Sequence, residues 1–259
     1  MIISRRSLLF GASVGLLGAK PAAIRTGCQT NAWPVDPKDF ESLLHVLATI
    51  KGLGFEGFET DFFNVRGQFE RGDAAYERIK KTGLRFSGIH IALKTYDPQT
   101  AIPSFELLQQ VADGCKALGA ERLIVSGSST VHPLALRGKA DGLNRIAKYS
   151  KGLGIGCAYH SHDYDFQDGG SQINGLVSMT EPGVHFVLEA GGNAADFFAK
   201  NWRRVDGIHL AAGQEESEWA ALAKAIQASQ WRGWLVVADE KGTGEVGPAR
   251  EAMRRIFGV

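Results

Sequence analysis

Short apolar segments rich in β-branched residues recur along this chain, and longer amphipathic segments separate them. This alternation is typical of consecutive βα units, in which each helix returns the chain to the same end of a parallel sheet. Eight such units favour an α/β protein with a closed (β/α)8 TIM barrel over an open sheet. We predict strands at Ile24–Thr30, Phe55–Glu59, Arg85–Ile91, Arg122–Ser126, Gly154–His160, Val184–Glu189, Gly207–Ala211 and Trp234–Asp239.

Glycines mark the predicted ends of four helices, each as the second residue of a Leu-Gly or Thr-Gly step before the next strand. Glycine favours this position because it adopts the left-handed conformation that ends many helices. The helix after the fifth strand is less regular, since Asp168–Ser171 predicts a loop and Gln172–Thr180 is short. The four glycines are Gly54, Gly83, Gly119 and Gly154.

The first 23 residues read as an export signal. The pair Arg5-Arg6 precedes the apolar run Phe10–Ala19, and Lys20–Ala23 ends with small residues suited to cleavage. This order is similar to a twin-arginine (Tat) signal peptide, so we expect a periplasmic or otherwise Tat-exported protein. The run is too short and rich in glycine for a stable membrane insertion. Residues 24–259 then form the barrel domain.

The charge balance argues against a polyanionic partner. The chain has 29 basic and 28 acidic residues, and removal of Arg5, Arg6 and Lys20 with the leader leaves 26 and 28. No basic stripe with interleaved aromatic residues remains, so we expect neither nucleic-acid nor membrane-surface binding. The expected partner is a small molecule. The sequence leaves the oligomeric state open, with a homo-oligomer as one option.

The three cysteines are isolated in the sequence. Cys28, Cys115 and Cys157 show no Cys-x-x-Cys spacing, and their odd number does not suggest a disulfide framework. We therefore predict that they are buried and serve as small hydrophobic residues.

Polar side chains cluster at the ends of the predicted strands. In a parallel barrel these ends meet at one face, where ligands bind. Glu189, His209 and Glu240 end three consecutive strands and His160 ends the preceding one, so together they could surround a divalent cation. The candidates at the strand ends are Glu59, His90, His160, His162, Glu189, His209 and Glu240.

The segment Tyr159–Phe166 reads Tyr-His-Ser-His-Asp-Tyr-Asp-Phe. It resembles the fifth-strand motif Tyr-His-Asn-His-x-x-Glu-Phe of the sugar phosphate isomerase/epimerase family, in the xylose isomerase-like TIM barrel superfamily. Gly54–Glu59 and Val205–Leu210 resemble the second and seventh strands of that family. Val187–Glu189 falls where the family has an apolar run ending in aspartate, and Asp239-Glu240 falls on its last-strand glutamate. The resemblance covers essentially the whole chain after the leader.

The resemblance implies a divalent metal ion held by His160, Glu189, His209 and Glu240. The sequence does not choose among manganese, cobalt, zinc and magnesium. Such a cation, bridging a carbonyl and a neighbouring hydroxyl of a sugar, acidifies the intervening C–H and stabilises the enediolate left after proton removal. Glu240 is the best candidate for moving that proton, with His160 assisting.

Four residues are candidates for contacts with the sugar, although each has an alternative role. Glu59 could be a satisfied carboxylate at the barrel rim, and His90 could be a hydrogen-bonded core histidine. Residues beyond the strand end can also cap the next helix. The substrate-binding candidates are Glu59, His90, His162 and Asp165.

Three positions depart from the family pattern. His160 stands where epimerases place a metal-bound glutamate, Glu189 replaces an aspartate, and Ala211-Ala212 replaces a Lys-Asp pair. Cations are scarce in the early loops, where Arg66 and Lys94 are the obvious ones, so a phosphorylated substrate is not favoured.

We therefore expect a divalent-metal-dependent isomerase or epimerase of a sugar or keto-sugar, acting by proton transfer through an enediolate. Two alternatives remain open. One is a metal-dependent lyase or dehydratase acting on a keto-sugar or keto-glycoside, because the same enediolate can expel a β-substituent. The other is a non-catalytic carbohydrate-binding protein on a degenerate barrel. An endonuclease of the same superfamily is disfavoured, because its multi-metal cluster needs more histidines and acids.

Overall fold

The computed structural model of the protein describes residues 24–130, 132–239, 242 and 244–259. The predicted signal peptide, residues 1–23, lies outside the described residues, and so does Glu240.

Eight parallel strands form a closed barrel in which each strand pairs with its neighbour in sequence, and β8 pairs with β1. The predicted (β/α)8 fold is therefore confirmed. The second strand lies two residues later than its predicted position, and the seventh begins two residues earlier. The strands are β1 (Arg25–Gln29), β2 (Gly57–Asp61), β3 (Arg85–Ile91), β4 (Arg122–Val125), β5 (Gly156–His160), β6 (Val184–Glu189), β7 (Val205–Ala211) and β8 (Trp234–Ala238).

Helices cover the outside of the barrel and bury one apolar face against the strands. In the first helix, Leu43, Leu47 and Ile50 recur at helical spacing and are fully buried. Among the described helices, none is both long enough and apolar enough to span a bilayer. The helices are α1 (Phe40–Gly52), α2 (Phe62–Val65), α3 (Gly72–Lys81), α4 (Phe105–Leu118), α5 (Pro133–Leu153), α6 (Gln167–Met179), α7 (Ala194–Asn201), α8 (Glu216–Gln227) and α9 (Val246–Phe257).

The four predicted glycine stops are confirmed, because Gly54, Gly83, Gly119 and Gly154 have φ angles of 80°, 70°, 73° and 78°. The irregular segment after β5 is confirmed as well: left-handed conformations at Asp168–Gly170 interrupt the start of α6.

The amino-terminal end of the barrel is closed by a buried aromatic residue. Trp234 is fully buried, and its Nε1 donates a hydrogen bond to Glu121. The guanidinium of Arg25 lies 4.5 Å from the centre of the indole ring, and that of Arg85 lies 5.6 Å away. Gly57 makes room for the indole, since a Cβ there would come within 2.5 Å of it. The opposite end, where the strands terminate, is the face at which such barrels bind ligands.

The three cysteines are free and buried, as predicted. Burial strongly raises the pKa of each thiol, which keeps it protonated and unreactive.

Candidate functional site

Four of the predicted site histidines meet at the carboxyl end of the barrel. His90, His160 and His209 come from β3, β5 and β7, and His162 follows β5 by two residues. The ring of His160 is central: its centroid lies 4.8 Å from that of His90, 4.6 Å from that of His209 and 4.8 Å from that of His162. The convergence follows from the parallel strands, which end at the same face.

A hydrogen-bonded chain links two of these rings. Ser126 Oγ lies 2.7 Å from Nε2 of His90 and 3.5 Å from Nδ1 of His160. The other nitrogen of His160, Nε2, is buried and has no hydrogen-bond partner among the described residues. It lies 3.8 Å from Oε1 of Glu189, at the end of β6. Buried nitrogens are rarely left without a partner, so this atom is available to a water molecule, an ion or another ligand.

The electrostatics keep three of these histidines, His90, His160 and His162, uncharged at neutral pH. Burial lowers the pKa of His90 to about 3, with a further contribution from the nearby His209. Burial likewise moves the pKa of His160 well below its usual range, and His209, His90 and His162 act in the same direction. The pKa of His162 falls to about 4, mainly through burial and then through the charge of Lys139. A neutral imidazole keeps one lone pair free to accept a proton or bind a cation.

Glu59 lies deeper in the barrel than its predicted position at a strand end. Its side chain is fully buried, with Oε1 2.6 Å from Nη2 of Arg122 and Oε2 2.7 Å from Nε2 of His209. Burial alone would raise the pKa of Glu59, but His209 and Arg122 outweigh it and lower the pKa to about 2. The carboxylate is thus ionised and bonded to protein groups, which matches the satisfied carboxylate left open from the sequence. A sugar contact remains a prediction.

Arg122 was not among the sequence candidates. Its Nη1 also donates to the backbone oxygen of Asp206 at 2.9 Å and to the carboxylate of that residue at 3.1 Å. Burial would lower the pKa of Arg122, but Asp206 and Glu59 raise it above the usual value. The sequence signal was a single cation at the start of an otherwise apolar strand, followed by Leu123–Val125.

Asp165 lies beneath the loop that carries His162. Its buried carboxylate accepts hydrogen bonds from the hydroxyl of Tyr159 at 3.0 Å and from the backbone N–H of His162 at 3.0 Å. These contacts fit the capping role that the sequence left open, while a sugar contact remains a prediction. Lys139, which the sequence did not single out, donates to the hydroxyl of Tyr159 at 3.1 Å and to the backbone oxygen of Ser128 at 2.7 Å.

This buried chain of polar groups fixes the loop around His162. Burial lowers the pKa of Lys139 to about 8, although Asp165 partly offsets this. Burial also raises the pKa of Asp165 above its usual value. The ring of His162 stacks on Tyr164 with 5.1 Å between centroids and 10° between planes. The loop therefore holds His162 against the edge of the His160 ring.

Two clefts open beside the histidines. The larger, about 510 Å3, lies over the ends of β6, β7 and β8, and its lining includes Glu189, His209 and Glu218. A smaller one of about 130 Å3 lies on the side of β1, β2 and β3, next to Asp61 and His90. Burial raises the pKa of Asp61 to about 6. The larger cleft is of a size suited to a small-molecule ligand.

No protein-family model matches the sequence, and no curated protein matches it either. Solved structures share its fold over nearly the whole length. A sugar phosphate isomerase/epimerase from Parabacteroides distasonis has a TM-score of 0.71 at 14% identity, covering 92% of this chain and 97% of its own. A D-allulose 3-epimerase from a Methylomonas species, in complex with D-allulose, has a TM-score of 0.72 at 14% identity, covering 92% and 98%. An L-ribulose 3-epimerase has a TM-score of 0.73 at 15% identity, covering 91% and 93%. The chain shares the closed (β/α)8 barrel fold of these structures.

A divalent cation would need imidazole or carboxylate donors that meet at the mouth of this barrel. Among the described residues, no three histidine, cysteine, aspartate or glutamate side chains lie close enough together to hold a metal ion. Three of the four predicted ligands nevertheless offer donors at the same mouth: Nε2 of His160, the carboxylate of Glu189, and His209, whose Nε2 is bonded to Glu59. Imidazole and carboxylate donors fit zinc, manganese or cobalt. The fourth predicted ligand, Glu240, lies outside the described residues.

Proposed function

We propose that the protein is an isomerase or epimerase of an unphosphorylated sugar or keto-sugar, acting by proton transfer at the carbon beside the carbonyl. The observation that carries this proposal is the buried Nε2 of His160, which has no hydrogen-bond partner among the described residues and faces Glu189 at the mouth of the barrel. The fold shared with a D-allulose 3-epimerase and an L-ribulose 3-epimerase supports it.

His160 can present a lone pair at this position. When the hydroxyl of Ser126 donates to Nε2 of His90, its oxygen can accept from Nδ1–H of His160. Nε2 of His160 is then the acceptor, because a neutral imidazole carries one proton. In this arrangement Nε2 of His160 binds a ligand hydroxyl or a cation, and Ser126 holds the ring through Nδ1.

Glu240 is our proposed proton-transfer residue, with His160 assisting. It follows Asp239 at the end of β8, and β8 pairs with β7, which carries His209. We propose that His160, Glu189, His209 and Glu240 hold a divalent cation. Once bound, that cation would polarise the sugar carbonyl and its neighbouring hydroxyl and so make the C–H between them more acidic. A carboxylate near that C–H contributes typically about 10²–10⁴ in rate as a general base.

Proton exchange with solvent tests this function. The full chain, supplemented with manganese, cobalt, zinc or magnesium, is incubated in deuterated water with a panel of unphosphorylated ketoses and keto-sugars. Mass spectrometry and NMR should show deuterium at the carbon beside the carbonyl, together with an isomerised product. Glu240→Gln should abolish both, whereas Glu251→Gln, an exposed glutamate on α9, should leave both intact.

The other outcomes identify the alternatives. Loss of a β-substituent from the substrate would indicate a lyase or dehydratase. Saturable sugar binding without any deuterium uptake would contradict the isomerase and indicate a carbohydrate-binding protein.

We also propose that residues 1–23 direct Tat export and are then removed. The support is the order of the paired arginines, the short apolar run and the small residues that follow.

A further inference from the structure

The bond between Glu59 and His209 determines which ring nitrogen carries the proton. Nε2 of His209 lies 2.7 Å from Oε2 of Glu59, and 150 residues separate the two in the sequence. An ionised carboxylate accepts hydrogen bonds and donates none. Arg122, which has only donors, bonds to the other oxygen of Glu59 and favours the ionised form. Nε2 of His209 is therefore the protonated nitrogen.

The surroundings of the other ring nitrogen point to the same assignment independently. The side-chain oxygen of Gln29 accepts a hydrogen bond from Nδ2 of Asn31 at 2.8 Å, which fixes the orientation of the Gln29 amide. Its NH2 group consequently faces Nδ1 of His209, at 3.5 Å. A donor group on this side favours a lone pair on Nδ1, and the same NH2 group also lies 3.5 Å from Oε2 of Glu59.

We infer that Glu59 is a positioning residue that fixes His209 as the Nε2–H tautomer, with Arg122 holding Glu59 in place, so that Nδ1 is the nitrogen His209 offers to a ligand. A carboxylate that accepts the second ring N–H is the usual way to orient a histidine that binds a ligand through its other nitrogen. A role for this positioning in catalysis rests on the proposed function, whereas the tautomer of His209 does not.

Histidine NMR tests the tautomer directly. The full chain is labelled with ¹⁵N-histidine, and long-range ¹H–¹⁵N correlation spectra at neutral pH distinguish protonated from unprotonated ring nitrogens. The His209 signals are assigned by their absence in His209→Asn. We expect a proton on Nε2, which faces Glu59, and none on Nδ1, which faces the NH2 group of Gln29. A ring protonated on Nδ1, alone or together with Nε2, would overturn the inference, and this test needs no Glu59 variant to fold.

Glu59→Gln should move the proton. Arg122 would bond to the single oxygen of the new amide, whose NH2 group would then face Nε2 of His209. Nε2 would have to become the acceptor, so the spectrum should change to the Nδ1–H tautomer. Glu59→Asp, which keeps a carboxylate, should retain the Nε2–H form. As a matched control, Glu56→Gln alters a glutamate three residues away that bonds to Thr26, and it should leave the His209 signals unchanged.

The results separate this inference from the proposed function. An Nε2–H tautomer that is unchanged in folded Glu59→Gln would show that Glu59 does not set it. A tautomer that responds as expected, in a protein without solvent exchange on any sugar, would uphold the positioning role and contradict only the isomerase.

Discussion

Arg122 and Glu59 form a buried ion pair inside the barrel, with 2.6 Å between Nη2 and Oε1 and side-chain exposures of 4% and 0%. They come from β4 and β2, and the same guanidinium bonds to Asp206 on β7, so one cation connects three strands. Two charges withdrawn from water this completely give little net stability compared with apolar residues of similar size. Their contribution is orientation, because the other oxygen of Glu59 holds His209.

Removal of one partner of this ion pair should destabilise the folded protein. Arg122→Met leaves the carboxylate of Glu59 buried without its cation, and we expect the free energy of unfolding to fall by about 3–5 kcal/mol in urea denaturation at pH 7. Arg78→Met, which breaks an exposed pair with Glu41, should cost about 1 kcal/mol or less. Equal costs for the two variants would show that the interior pair is not maintained in solution.

The hydroxyl of Tyr159 should contribute more to stability than an exposed tyrosine hydroxyl. Tyr159→Phe leaves the buried groups of Lys139 and Asp165 without a shared partner, so we expect a loss of about 1–3 kcal/mol in unfolding free energy. Tyr149→Phe serves as the control, since its hydroxyl bonds to Asp113 at the surface and should contribute much less to stability. A comparison of the two denaturation midpoints tests this prediction. An unfolding free energy that Tyr159→Phe leaves unchanged would contradict it.

Burial of His90 should make the folded protein less stable as the pH falls below the pKa of a free histidine. The pKa of His90 drops from 6.5 to about 3 on folding, so the unfolded chain takes up its proton first as the pH is lowered. This histidine alone should remove about 2 kcal/mol of stability between pH 7 and pH 5, at about 1.4 kcal/mol per pH unit below 6.5.

His90→Gln isolates this contribution. Subtracting its unfolding free energy from that of the wild type cancels the opposing effect of Asp61 and Asp165, whose pKa values are raised on folding. The difference should be constant above pH 7 and should change by about 2 kcal/mol at pH 5. A difference that stays constant down to pH 5 would mean that His90 is not shielded from charge in the folded protein.

The export signal can be tested apart from the barrel. Replacing both Arg5 and Arg6 by lysine should retain the protein in the cytoplasm with its leader attached, because the pair of arginines distinguishes Tat signals. Wild-type protein should be recovered from the periplasm with an amino terminus near residue 23 or 24. Fractionation followed by intact-mass measurement reads out both. As a control, Arg25→Lys, beyond the leader, should be exported normally.

Much of the architecture could be predicted from the sequence, because buried parallel strands and glycine stops leave strong local patterns. Gly154 has the left-handed conformation expected of it, and β5 then ends at His160 as predicted. The depth of individual residues was harder to predict. Thr60 and Asp61 extend β2 by pairing with Ile89 and His90, and Glu59 consequently lies inside the barrel rather than at its rim.

The site was predicted in part for the same reason. Strand-end histidines are visible in a sequence, and the structure brings His90, His160 and His209 together. Arg122 and Gln29 were missed because their importance depends on long side chains meeting across the barrel interior. Such contacts depend on the tilt and register of all eight strands, which local patterns do not encode.

The buried chain formed by Lys139, Tyr159 and Asp165 has a practical consequence for anyone who wishes to alter what this barrel accepts. It joins the loop after β4, through the backbone of Ser128, to the loop after β5, through the backbone of His162. A change of backbone in either loop alone would break its hydrogen bond to this chain and leave buried polar groups of the other loop without a partner. The two loops are therefore best exchanged, randomised or grafted together as a single cassette.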